Sequence, residues 1–238
     1  MAYIGNKPAN KAIVASDLDP AVITGQTALA VAPADTDEFL ISDAGTLKRI
    51  DASLVGSADY VLLATTDASS SSSVSFDGYF SSTYKNYQVI LSDVFPASSS
   101  GYLRIRLRKS NADVTSSNYS HGGGGQYQHS GVGSGFKYYG AGAGADHIGT
   151  MSEEGTVSTS NYAYNQKVHI YNPLATNTYK TITQEIGLIN RTDQTGYTVT
   201  IVGGSGLLFD NTNALSGISF YMSTGNITSG TFKIYGIK

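Results

Sequence analysis

Between residues 103 and 109 the chain reads LRIRLRK, apolar and basic side chains alternating from Leu103 to Arg108. A period of two marks a half-buried strand, here with Leu103, Ile105 and Leu107 on one face and Arg104, Arg106 and Arg108 on the other. Short strand-like runs recur from Tyr60 to the C-terminus: YVLLA, VSF, YQVILSDVF, NYAYNQKVHIYN, YKTITQEIGLIN, GYTVTIVG, SGISFYMS and SGTFKIYGIK. Ile218, Phe220 and Met222 share a face of one, and Phe232 and Ile234 share a face of the last. Gly, Ser and Asn turns separate them, and Pro96 with the following SSSG closes YQVILSDVF. Eight or more such strands with no βαβ alternation predict an all-β, antiparallel β-sandwich over residues 57–238, most simply a jelly roll.

Residues 1–56 follow a different pattern, with apolar residues in small disconnected groups. Asp19-Pro20 can cap and start one helical turn that Gly25 ends. DEFLIS-DAG-TLKRI reads as a small hairpin, with Phe39 and Ile41 alternating against Leu40 and Ser42 and the chain returning through Leu47 to Ile50. A lone hairpin is marginal in water. The segment is therefore an extended arm expected to order by packing on copies of itself or on another protein.

Composition sharpens the picture. Charged residues make up 14% of the chain, the net charge is -3, and there are 17 tyrosines, 27 glycines, no tryptophan and no cysteine. Disulfides and thiolate metal sites are excluded. No global field draws the chain to nucleic acid or to an anionic membrane. In the opening MAYIGNKPANKAIVASDLD no apolar run exceeds the four residues of AIVA, too short for a signal-peptide core, and nothing elsewhere approaches a membrane span. Synthesis in the cytoplasm without membrane insertion is the expectation.

The row Arg104, Arg106, Arg108, Lys109 is the one concentration of positive charge. Its simplest reading is the solvent or intersubunit face of an amphipathic strand, and its sharper one is attraction to anionic groups on a surface polysaccharide.

Residues 121–147, HGGGGQYQHSGVGSGFKYYGAGAGADH, hold ten glycines, four aromatics and three of the four histidines. GAGAGA satisfies a degenerate dinucleotide-loop pattern, but DHIGTMSEEG after it has no helical periodicity, so the pyrophosphate context is missing. His121, His129 and His147 have no chelating spacing, although a trimer axis could gather three copies of one of them. Adjacent Glu153 and Glu154 point to opposite sides of an extended chain and cannot face each other across a substrate. No G-x-S-x-G elbow occurs. No catalytic group, metal or cofactor is expected. The run reads as a long Gly-rich loop between strands, with Tyr127, Phe136, Tyr138 and Tyr139 supplying contact area amid small adaptable residues, as in a paratope. An equal alternative is that these aromatics pin the loop to the sandwich or to a neighbouring subunit.

The opening MAYIGNKPAN, the segment PADTDEFLISDAGTLKRIDAS, the stretch YVLLATTDASSSSSVSFDGYFSSTYKNYQVILSDVFPAS and the closing SGISFYMSTGNITSGTFKIYGIK resemble bacteriophage tail-fibre and related virion proteins. The resemblance implies an arm that joins the virion, three intertwined copies and an outward-facing C-terminal domain. Carried onto this chain, Tyr3, Ile4, Gly5 and Asn6, with Phe39, Ile41 and Leu47 of the hairpin, would be attachment and trimerisation elements. A long fibre has a shaft of repeats, and here the arm leads almost directly into the sandwich. The leading expectation is a short trimeric tail fibre or receptor-binding protein, a homotrimer joined to other virion proteins, with His121, Tyr127, His129, Phe136, Tyr138 and Tyr139 touching a host surface polysaccharide. The alternative is a capsid decoration or head-fibre protein with a purely structural role.

Overall fold

The alternation at LRIRLRK becomes a strand whose apolar side is wholly buried: Leu103, Ile105 and Leu107 have no exposed surface, while the arginines between them are half-buried. The computed structural model describes residues 21–25, 27, 31, 33–34, 36–55, 59–98, 101–129, 133–149, 163–193, 196–210 and 212–238. The chain divides into two compact units, Met1–Ser57 and Ala58–Lys238.

In the first unit, Ala21–Thr24 forms a single helical turn closed by the Gly25 N–H on the Ala21 carbonyl at 2.8 Å. Asp19 and Pro20 lie outside the described residues. Strands β1 (Glu38–Asp43) and β2 (Thr46–Asp51) pair in the register Phe39↔Ile50, Ile41↔Lys48 and Asp43↔Thr46. Ala44 and Gly45, with φ of 48° and 83°, turn the chain between them. Two successive positive φ values give the turn whose twist matches a hairpin. The Ala52 N–H donates to the Asp37 carbonyl at the open end, 2.6 Å away.

The second unit is the sandwich. Its strands are β3 (Tyr60–Ser71), β4 (Ser73–Asp77), β5 (Asn86–Pro96), β6 (Leu103–Lys109), β7 (Ala112–Asp113), β8 (Tyr119–His129), β9 (Gly133–Ala145), β10 (Ile148–Gly149), β11 (Tyr164–Tyr171), β12 (Lys180–Asp193), β13 (Gly196–Leu208), β14 (Gly217–Met222) and β15 (Ile227–Ile237). The small sheet runs β10-β6-β14-β4, with β7 on β6, and the large sheet runs β3-β15-β5-β11-β12-β13-β8-β9. Within this order, β3-β15-β5-β11 of the large sheet and β4-β14-β6-β10 of the small one interleave along the chain, which crosses between sheets at β3→β4, β4→β5, β5→β6, β7→β8, β9→β10, β10→β11, β13→β14 and β14→β15. Strand β4 meets β3 and β15, and β10 meets β13, β8 and β9. That interleaving is a jelly roll. The remaining two hairpins, β12/β13 and β8/β9, extend the large sheet beyond β11.

Alternation on both sheets builds one core. Register places Phe220 beside Ile105 and Val74, and Ile218 beside Leu107 and Phe76, on the small sheet. Phe232 pairs with Leu91, and Ile234 and Val168 flank Val89, on the large one. The Phe220 and Phe232 rings meet between the sheets at a centroid distance of 5.5 Å. Full burial of one such side chain contributes about 2 kcal/mol, so this alternating set dominates the stabilisation.

The serine run 69–73 ends β3 and opens β4, the chain crossing between the sheets at Ser72. Ser69 and Ser71 pair with Ser229 and Ile227 of β15, because a strand needs backbone partners more than it needs apolar side chains.

The Gly-rich run corrects an expectation. It is no loop but the hairpin β8/β9 followed by β10, with β8 also paired to β13 from Tyr119↔Leu208 to His129↔Thr198. Glycine is a poor strand former, and its low intrinsic preference is overridden here by ladders on both sides of β8.

Candidate functional site

The hairpin's alternation sorts its candidate residues into two sets. Ile182, Gln184 and Ile186 of β12 are buried toward the opposite sheet. Following their register through β13 places His121 on the same inward side, beside Gly206, while the side chains of Tyr127, His129 and Tyr139 lie outside the described residues. Phe136 and Tyr138 fall on the other face. They are 55% and 82% exposed, and their rings contact each other at 4.9 Å between centroids. His121 therefore does not share a surface with Phe136 and Tyr138. A strand period of two separates residues that a loop could have gathered.

On the inward side the fold brings together two histidines that sequence spacing kept apart. The His121 and His147 rings lie 5.8 Å apart, and His147 Nδ1 is 2.6 Å from the Asp146 carboxylate. The His147 hydrogen bond, and after it that of Arg106 at 2.6 Å, holds the Asp146 carboxyl below its ordinary value. Among the described residues no group of three or more His, Asp or Glu is placed to hold a metal ion. Glu153 and Glu154 lie outside the described residues.

The basic row is matched within the chain. Arg106 pairs with Asp146 and lies 4.5 Å over the Tyr221 ring, a cation–π contact. Arg108 bonds Asp77 at 2.9 Å and also reaches Asp113 and the Asn111 carbonyl. Lys109 pairs with Asp210. Burial favours the neutral form of Arg108, but its two carboxylate partners outweigh this and raise its pKa. These cations already hold carboxylates, which weakens the reading of the row as a seat for external anions.

A polar group that sequence reading missed ties the sheets together. Buried Gln166 donates through Nε2 to Gln184 Oε1 at 2.7 Å, and Gln184 Nε2 donates to the Gly149 carbonyl of β10 at 2.9 Å. The signal was present in the alternation of NQKVHIY and TITQEIG, which puts each glutamine in phase with apolar core positions.

Of the attachment residues, Tyr3, Ile4, Gly5 and Asn6 lie outside the described residues. Phe39 and Ile41 share a hairpin face with Ile50, while Leu47 pairs with Ser42 on the opposite face beside Leu40. Among the described residues no helix is long and apolar enough to cross a membrane.

No protein-family model, curated protein or solved structure matches this chain.

Proposed function

We propose that the chain is a bacteriophage virion protein, a short trimeric tail fibre or receptor-binding protein. Its first unit fastens it to the particle and its jelly roll is presented to the host surface. The observation that carries this reading is the state of the hairpin. Phe39, Leu40, Ile41 and Leu47 are exposed on both of its faces, Leu40 and Leu47 by 71% and 68%, and Leu54 and Val55 just after it are exposed too. A two-stranded hairpin with no second layer is marginal in water. Apolar side chains on both of its faces call for cover from two directions, which neighbouring copies and a docking protein supply together. The resemblance of both chain ends to virion fibre proteins gives that docking protein its identity as a virion component.

A second reading, a capsid decoration or head-fibre protein, is favoured by the direct succession of arm and sandwich in the sequence, with no run of shaft repeats between them. Electron microscopy of particles labelled with antibodies against the sandwich distinguishes the two. The fibre reading expects label on the tail and blocked adsorption. Label over the capsid in high copy number, with adsorption intact, replaces it with the decoration reading.

A further inference from the structure

Four glycines of the extended sheet form two contrasting pairs. A Cβ on Gly206 would sit 2.5 Å from Ile148, and one on Gly140 would sit 2.9 Å from the His121 carbonyl, so the fold itself requires glycine at both. Gly187 and Gly203 are different. A Cβ on either meets nothing within 4 Å, and neither has a positive φ. Strand-interior glycine is destabilising, and where the chain does not need it, it marks close approach by something else.

Both of these glycines lie on the outer face of the large sheet. One row there runs Tyr138, Gly124, Gly203, Glu185, Lys167, Ile90 across strands β9, β8, β13, β12, β11 and β5. At about 4.8 Å per strand the aromatic edge and Glu185 stand roughly 14 Å apart with a glycine floor between them. A groove of about 570 Å³ takes in Gly203, Gly187, Glu185, Lys167, Asn165 and Ser92. Lys167 and Glu185 are 2.7 Å apart, so the polar wall offers donors and acceptors with little net charge.

We propose that this outer face is a saccharide-binding trough, floored by Gly187 and Gly203, with Phe136 and Tyr138 as the stacking platform and Lys167 and Glu185 as hydroxyl-binding groups. It rests on the reading of the jelly roll as a host-facing domain. A sugar ring presents an apolar C–H face to an aromatic ring and a rim of hydroxyls to carboxylate and ammonium groups, and a floor without side chains lets it approach the backbone. Charge selects an uncharged saccharide. Among the described residues of the groove the one cation, Lys167, is paired, and the chain carries a net -3, whereas a nucleic acid needs its phosphates neutralised.

The full chain is titrated against an array of neutral hexose and 6-deoxyhexose oligosaccharides, beside Tyr138→Ala and Gly203→Val. Binding by the wild type is expected, with at least a ten-fold loss in each variant. Gly203→Val should unfold at or above the wild-type temperature, because its side chain enters open space. Three results overturn the trough: no wild-type binding to neutral saccharides, binding confined to anionic ligands, or wild-type affinity in both variants. In the last case receptor binding stands and its site lies elsewhere. If the trough binds as expected but the protein is absent from particles, the trough survives and the virion reading falls.

Discussion

Among the described residues three tyrosines have no exposed surface at all, and each uses its hydroxyl to close a loop. Tyr87 Oη accepts from the Ser81 N–H at 2.6 Å, and Tyr164 Oη donates to the Gly101 carbonyl at 3.0 Å. Tyr119 fills a gap in the small sheet. Strand β6 pairs with β10 at Arg104 and Ile105 and with β7 at Arg108 and Lys109, leaving Leu107 without a strand neighbour on that side. There Tyr119 Oη accepts the Leu107 N–H at 3.0 Å and donates to the Val114 carbonyl at 3.1 Å, and its burial pushes its pKa up. Tyr119→Phe leaves a buried N–H without its partner, so it should cost about 2 kcal/mol, read as a drop of roughly 4–8 °C in the calorimetric midpoint. Asp210 gives the acid limb. Burial works against its ionisation, but hydrogen bonds from Lys109, Asn213 and the Thr212 N–H outweigh this and hold its pKa well below the ordinary carboxyl range. A carboxylate with a depressed folded pKa contributes stability that is complete above the unfolded value of about 3.9 and is lost as pH falls toward the folded one. Stability should therefore decline below about pH 4. In urea titrations Asp210→Asn should be less stable at pH 7 and show a flatter acid limb; parallel curves would remove this pair from the acid response.

Among the elements, β13 shows how one strand serves two requirements. On its inward face Gly206 lets Ile148 of β10 reach the large sheet, so Gly206→Ala should push Ile148 off its position and destabilise by about 1–2 kcal/mol. Denaturant unfolding measures it, and an unchanged midpoint would show that Ile148 can move freely. Sequence periodicity made β6 and the second half of β15 legible because their burial alternates against one core, and β14 because its apolar residues share one face although its burial is nearly continuous: Ile105, Phe220 and Phe232 are all fully buried. It failed at β8 and β9 because glycine carries no side chain from which alternation can be read. There the ladder from Tyr119↔Leu208 to His129↔Thr198 supplies the order, and it is a partnership between segments some 80 residues apart. The site was legible to the same degree. Phe136 and Tyr138 could be named from the aromatic composition. Lys167 and Glu185 could not, since only the β11/β12 register makes them neighbours.

At the scale of the whole molecule, the division of labour between the two units decides what each can do alone. The jelly roll contains every buried apolar side chain described, from Ala68 to Ile234, and its two sheets close a single core between Phe220 and Phe232. Even its last residue is tied within it, by the Lys238 N–H on the Asp59 carbonyl at 3.1 Å. A unit of this length buries enough surface to be stable without staples. The hairpin unit has the opposite balance, with Phe39, Leu40 and Leu47 exposed. Residues 58–238 expressed alone should therefore be soluble and unfold cooperatively in calorimetry, and under the proposed virion role particles assembled with that fragment as the only source of the protein should lack it. Fragment present on particles at the normal level would move attachment from the arm to the sandwich. A fragment that fails to fold would mean that the arm supplies part of the core, and the exposed faces of Phe39 and Leu40 would then need a partner within the chain rather than on the virion.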